Sequence, residues 1–446
     1  MKMVAWGDAF VREHSRWGEQ YTQVWSHPIS GARSVRRWSD GYTVGRDAGQ
    51  LILSTPTAIM EGDIIAEVIE GERQVNARAD GITDGYDVAQ HTRAQPGSLA
   101  LGRYDLLVSN TNPYSVEVKI ADVASIAKHL ATGDALPEER NGTAWLDAGL
   151  LNQAGLGGLN IETTGVIAID NPLTLADGGA LKLVAPTIDF NADVTAHSGS
   201  INATNRASNH YGSSAQVLLD GNGGSLIAVG EGVTLDLTGL WVNTALNASD
   251  TGKLGYLDGG KVTLASTHDL ALAEGSLIDV SSGGAILAQN DTRGGAGGDV
   301  SLVADGYNAI VAPDGTLLLD GEIRGVGVLG GGTLHLETGK TFTVGATDEQ
   351  GGTQVDTAIF QTGFASYELV GRKSVTVADG TDLSVVMPVL LFGEFAPDAA
   401  TGAPLSEALD LWTPPTYLEN PVDGVLTRRG SKPDYLRHAG SAGWKR

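Results

Sequence analysis

The chain has 446 residues, a formal net charge of −24 and no cysteine. It is long enough for a large core, and an acidic body of this kind repels nucleic acid and anionic membranes. Aromatic residues make up 6% and glycines number 61, which fits a narrow core of small and branched aliphatic side chains.

Residues 1–40 hold Trp6, Trp17, Trp25 and Trp38 among Arg, Gln, Ser and Thr. The pattern reads as a β region packing its rings on a neighbouring layer, with a sugar-binding aromatic face as the functional alternative. Residues 41–118 read as the β-rich start of a repeat array, with strands over 51–54 and 64–69. Residues 119–156 read as a helical excursion, from the periodicity of 122–130 and 144–152.

Residues 157–390 carry the dominant signal. A Gly-Gly pair, one variable residue and an alternating apolar pair recur at Gly178-Gly179, Gly223-Gly224, Gly259-Gly260, Gly297-Gly298 and Gly331-Gly332. A relaxed copy stands at Pro96-Gly97. The second glycines are 45, 36, 38 and 34 residues apart, the mark of a stacked repeat architecture. Glycine turns the chain at low cost, and alternation puts every second side chain on one face. Further strands are expected at 233–237, 278–280 and 381–385, so each period accommodates two coils of roughly 18–20 residues.

The fold class expected is all-β, a parallel β-helix with a short helical excursion. Antiparallel hairpins in a sandwich or barrel are the alternative. Leu181, Leu226, Val262, Val300 and Leu334 are expected to form one interior ladder. Leu183, Ala228, Leu264, Leu302 and Leu336 are expected to form another. Residues 391–446 accumulate prolines and read as a poorly ordered tail, without regular strands beyond about residue 405. Its end, with Arg428, Arg429, Lys432, Arg437, Lys445 and Arg446 against Asp434, is basic. The body between 151 and 350 has 22 acidic residues against 7 Lys or Arg.

Chemistry-bearing patterns are sparse. Asp236, Asp279 and Asp382 follow similar turns and point outward. They lie more than 40 residues apart, which is expected to keep them off neighbouring coils and on a solvated acidic face. Residues 294–302 nearly match a calcium-binding glycine nonapeptide, but Ser301 stands where an apolar residue belongs. His197, His210, His268 and His335 have no paired metal spacing. No catalytic, cofactor-binding or metal-ligating residue is therefore expected, and no enzyme activity.

The stretches 154–165, 42–54 and 363–381 resemble the filamentous haemagglutinin family, most distinctively Gly363-Phe364-Ala365-Ser366-Tyr367-Glu368-Leu369. The resemblance spans roughly residues 40–390. It implies a long right-handed β-helix, exported by two-partner secretion through an outer-membrane β-barrel transporter. It implies a secreted or bacterial cell-surface location and an adhesive role towards glycans or surface proteins, without membrane insertion. Residues 1–8 form no hydrophobic signal core, and no Asn-Pro-Asn motif is present; Asn171-Pro172 and Asn112-Pro113 are poor substitutes. The chain therefore reads as an internal or C-terminal segment of a longer exoprotein. The alternative function is a polysaccharide lyase or hydrolase built on a β-helix.

Overall fold

The computed structural model describes residues 9–14, 19–24, 43–55, 59–75, 93–102, 116–126, 130–131, 133–208, 216–218, 226–304, 314–345, 352–413, 417–419 and 426–428. Trp6, Trp17, Trp25, Trp38, Gly223, Gly224 and His210 lie outside these residues, as do the basic residues from Arg429 onward.

Alternating side chains make the described chain strand-rich, and parallel pairing dominates. A long sheet of nine strands runs Gln50–Leu53, Ser98–Gly102, Gly158–Glu162, Ala180–Val184, Ser200–Thr204, Lys261–Ser266, Asp299–Ala304, Thr333–Thr338 and Ser366–Gly371. A middle sheet includes Val166–Ile169, Thr187–Phe190, Leu226–Val229, Asp269–Leu272 and Leu317–Leu319. A corner sheet of five short strands contains Leu173–Thr174, Val194–Thr195, Thr234–Asp236, Leu277–Asp279 and Glu322–Arg324. From residue 158 to residue 338 the chain visits long, middle and corner sheets in that order, repeatedly. Among the described residues no helix is long and apolar enough to cross a membrane.

Register turns this rotation into continuous apolar rungs. In the long sheet one rung reads Leu99, Leu159, Leu181, Ile201, Val262, Val300, Leu334, and the next reads Leu101, Ile161, Leu183, Ala203, Leu264, Leu302, Leu336. The middle sheet supplies Ile167, Ile188, Ile227 and Leu270, and the corner sheet Val194, Leu235, Ile278 and Ile323. All of these belong to one core cluster. Each fully buried aliphatic side chain contributes about 1.5–3 kcal/mol, so stacking holds together passages too short to hold themselves.

The expected ladders need one correction. Leu226 and Ala228 lie in the middle sheet, where Ile227 and Val229 are the buried pair. The apolar run 226–229 satisfies either alternation, and its pairing with Thr187–Phe190 selects the second. The vacant rung is filled by Ile201 and Ala203, introduced by Ser198-Gly199. Ser198 itself adopts φ +53°, a glycine-like backbone that its residue type conceals.

The glycines also act differently from expectation. Of the device's described pairs only Gly178 has a positive φ, at +75°. The second glycines instead stack: a Cβ on Gly199 would collide with the Gly179 carbonyl, one on Gly260 with Gly199, one on Gly298 with Gly260 and one on Gly332 with Gly298. Those carbonyls accept ladder bonds, such as Ser200 N–H to Gly179 O at 2.8 Å and Lys261 N–H to Gly199 O at 2.9 Å. Close approach, not turning, demands glycine at these positions.

The expected two coils per period are likewise one passage plus an excursion. Only Leu159 to Leu181 and Leu181 to Ile201 close in 22 and 20 residues. Longer intervals contain side structures. One is the antiparallel pair Arg206–Ser208 with Gln216–Leu218. Another is a side sheet of Trp241–Asn243, Gly284–Ile286 and Thr292–Gly294. Asn205, fully buried, secures the first exit: its Nδ2 donates to Ala185 O at 2.6 Å and Pro186 O at 3.0 Å, and its Oδ1 accepts Thr267 N–H at 3.1 Å.

The helical excursion is also divided. Thr143–Asp147 is a strand paired with Glu117–Ala121, Glu138–Arg140 is a single 3-10 turn, and Ala148–Gln153 is an α-helix capped by Asp147 Oδ1 on Leu150 N–H at 2.8 Å; residues 127–129 of the expected helix 122–130 lie outside the described residues. Residues 122–126 and 63–70 form no helix or strand. In the expected tail, Val389–Phe392 and Leu409–Trp412 form an antiparallel pair. That pair folds back on the side sheet: Trp241, 1% exposed, donates Nε1–H to Ala399 O at 3.0 Å and packs against Phe392. An apolar hook on a buried ring outweighs the local proline signal here.

Candidate functional site

Corner strands end in a repeated Asp-x-(Thr/Ser) turn. The Asp236 carboxylate accepts the Thr238 N–H at 3.0 Å and hydroxyl at 2.7 Å, and Asp279 accepts the Ser281 N–H at 2.9 Å. A short carboxylate reaching two residues ahead is the usual way to fix such a bend.

Because one passage separates them, Asp236 and Asp279 are direct register partners, and Asp279 is the partner of Arg324. This corrects the expectation that sequence distance keeps them off neighbouring coils. Asp382 is not brought to this column; it lies exposed on the segment after the last long-sheet strand. Arg324 approaches Asp279 at 3.5 Å and Glu322 at 2.6 Å, while His197 Nδ1 lies 3.2 Å from Thr238 O and 3.9 Å from Asp236. Burial pushes the Asp279 carboxyl above its ordinary range, against the Ser281 hydrogen bonds and the Arg324 charge.

The column therefore has two chemical uses. Its side chains fix a corner, and they also line up two carboxylates and a guanidinium on neighbouring strands. General acid–base chemistry needs a carboxyl free to exchange its proton with a substrate. Here one oxygen of each carboxylate is already held by the turn.

Other carboxylates act as staples between passages. Asp193 accepts Thr234 N–H at 2.8 Å, Asp258 accepts Ala296 N–H at 2.8 Å, Asp269 accepts Thr316 N–H at 2.8 Å and Asp299 accepts Thr333 N–H at 2.9 Å. Asp299 is the acidic residue of the nonapeptide-like stretch, and this bond is the use the structure gives it. The histidines sit beside carboxylates: His268 lies 3.2 Å from Asp269, and His335 3.0 Å from Glu368 and 3.4 Å from Glu337. Among the described residues no three such side chains are arranged to hold a metal ion.

The outward face of the long sheet carries a row of polar side chains. Asn160, Lys182, Asn202, Thr263, Ser301, His335 and Glu368 stand in one register column. At the ~4.8 Å strand spacing these seven rows extend about 29 Å. Amide, ammonium, hydroxyl, imidazole and carboxylate groups in a straight row can donate to and accept from a polyhydroxylated or peptide ligand. The sequence reading missed this row because the intervals between its members are irregular.

The chain has no significant match to any protein-family model, to any curated protein or to any solved structure.

Proposed function

We propose that this chain is a right-handed parallel β-helix serving as a structural and adhesive segment of a secreted, cell-surface exoprotein. On this reading it is of the filamentous haemagglutinin kind, exported through an outer-membrane β-barrel transporter. The outward face of the long sheet is the binding surface, and glycans or surface proteins are its ligands. The observation that carries the reading is the register column from Asn160 to Glu368, a straight polar row on a continuous parallel sheet. The use of nearby carboxylates as turns and staples supports it, because those groups serve the scaffold.

Adhesion of the purified chain to glycan arrays and to bacterial and host cells tests the proposal. Lys182→Ala with Asn202→Ala should reduce binding at least about tenfold with unchanged thermal unfolding. Equal binding by wild type and the double variant would sink it.

A second reading rests on the Asp236, Asp279 and Arg324 column: a carbohydrate-active enzyme. It requires turnover of a polysaccharide that disappears in Asp279→Asn, with the chain still folded.

A further inference from the structure

The chain has four Asn-x-(Ser/Thr) triplets in which x is not proline: 141–143, 202–204, 247–249 and 290–292. This triplet is the acceptor pattern for N-linked sugar and belongs on exposed surface chain. All four asparagines are exposed. What separates them is the backbone around each.

Three of the triplets run into a strand. Asn202 sits inside Ser200–Thr204, which pairs in parallel with Ala180–Val184 on one side and Lys261–Ser266 on the other. Extended backbone holds Asn202 and Thr204 about 6.4–6.8 Å apart, and ladders on both sides keep it from bending. Asn141 precedes the strand Thr143–Asp147, where Thr143 is 9% exposed and is the register partner of Glu117. Asn290 precedes Thr292, the register partner of Ile286 in the side sheet.

The triplet 247–249 is built differently. Residues 245–249 are all exposed, and no strand includes them. The backbone turns there: Asn247 N–H donates to Asn243 O at 3.1 Å, and Asp250 N–H donates to Asn247 O at 3.1 Å. Asn247 Oδ1 accepts the Ser249 hydroxyl at 2.7 Å and the Ser249 N–H at 3.2 Å. This turn closes the hydroxyl of the third residue onto the carboxamide of the first. Both bonds fall on Oδ1, and among the described residues Nδ2 meets no acceptor.

We propose that Asn247 is an N-glycosylation site and that its donor is a sugar nucleoside diphosphate. Asn247 Nδ2 attacks the anomeric carbon of the sugar. The N–C bond forms as the bond from that carbon to the diphosphate oxygen breaks. The diphosphate leaves with the electron pair, and Nδ2 gives one proton to a base of the transferase. As the proton departs, negative charge moves onto Oδ1, where the Ser249 hydroxyl stabilises it. The folded chain thus presents the acceptor already bent. A sugar on Asn202 would cover the polar row of the long sheet, whereas Asn247 lies on the excursion between Trp241–Asn243 and Lys261–Ser266.

The folded full chain, incubated with a sugar nucleoside diphosphate and an N-glycosyltransferase that modifies its proteolytic digest, tests the proposal by peptide mass spectrometry. In the digest all four asparagines should gain sugar. In the folded chain Asn247 should gain it at least about tenfold faster than Asn141, Asn202 or Asn290. Ser249→Ala should slow Asn247 at least about tenfold with unchanged thermal unfolding, and Ser249→Thr should keep the rate. Chain isolated from the cells that make it should carry sugar on Asn247. A bare Asn247 in that material overturns the proposal. So does an Asn247 that is modified in the digest and not in the folded chain, or one modified no faster than Asn202.

Discussion

Passages through residues 158–204 and those through 205–338 build the same core from very different lengths of chain. In the first region 22 residues separate Leu159 from Leu181, and 20 separate Leu181 from Ile201. In the second, 61 separate Ile201 from Val262 and 38 separate Val262 from Val300. The rungs nevertheless continue without a slip. What fixes register is therefore local to each strand: an interior pair of aliphatics, a glycine seated on the previous glycine's carbonyl, and a staple to the next passage. The chain between strands is free to lengthen, since extra loop length costs only a slowly rising closure entropy.

The largest loss is expected at the rung itself. Leu264→Asp places an unpaired charge where the side chain is 0% exposed, and should cost more than about 4 kcal/mol. Thermal unfolding measures it; an unchanged transition would refute the rung assignment.

The glycine column comes next. Gly298→Ala sets a methyl against the Gly260 carbonyl and should cost about 1–3 kcal/mol, whereas Gly62→Ala, in open space, should be neutral. Equal denaturation midpoints for the two variants would remove close approach as the reason for the device.

A staple is worth less. Asp299→Ala leaves the Thr333 N–H without its carboxylate, a loss of about 1–2 kcal/mol, visible as faster amide exchange at Thr333.

The smallest effect is at the corner. The folded Asp279 carboxyl holds its proton more tightly than the unfolded one, because burial raises it. Wild-type stability should therefore fall as pH rises from the ordinary carboxylate range through the raised folded value. Asp279→Asn keeps an acceptor for Ser281 and removes that decline. At neutral pH it should melt within about 1 kcal/mol of wild type or later. A large loss would show that the charge itself holds the corner.

Much of this was legible in the sequence. Leu181, Val262, Val300 and Leu334 are rung neighbours as alternation and glycine spacing require, with Ile201 inserted between the first two. The copy at Gly223 misleads because four consecutive apolar residues, 226–229, satisfy both alternations, and only the neighbouring strand chooses. Ser198-Gly199 was hidden because a serine holds the glycine conformation. The adjacency of Asp236 and Asp279 was hidden by an excursion, since a 43-residue interval looks like distance when it is one passage. The outward polar row was illegible for the same reason. The fold of residues 389–412 was masked by prolines, while its cause, the Trp241 ring, lies far upstream.

The glycine column has a mechanical consequence. Tension along the stacking direction loads the contacts between successive passages in series, so the passages yield one at a time. The uninterrupted passages of 20–22 residues would each pay out about 70 Å of contour at ~3.3–3.6 Å per residue. Those with excursions would release more. Pulled along the stacking direction, the chain should therefore lengthen in unequal steps, the largest from passages that carry excursions.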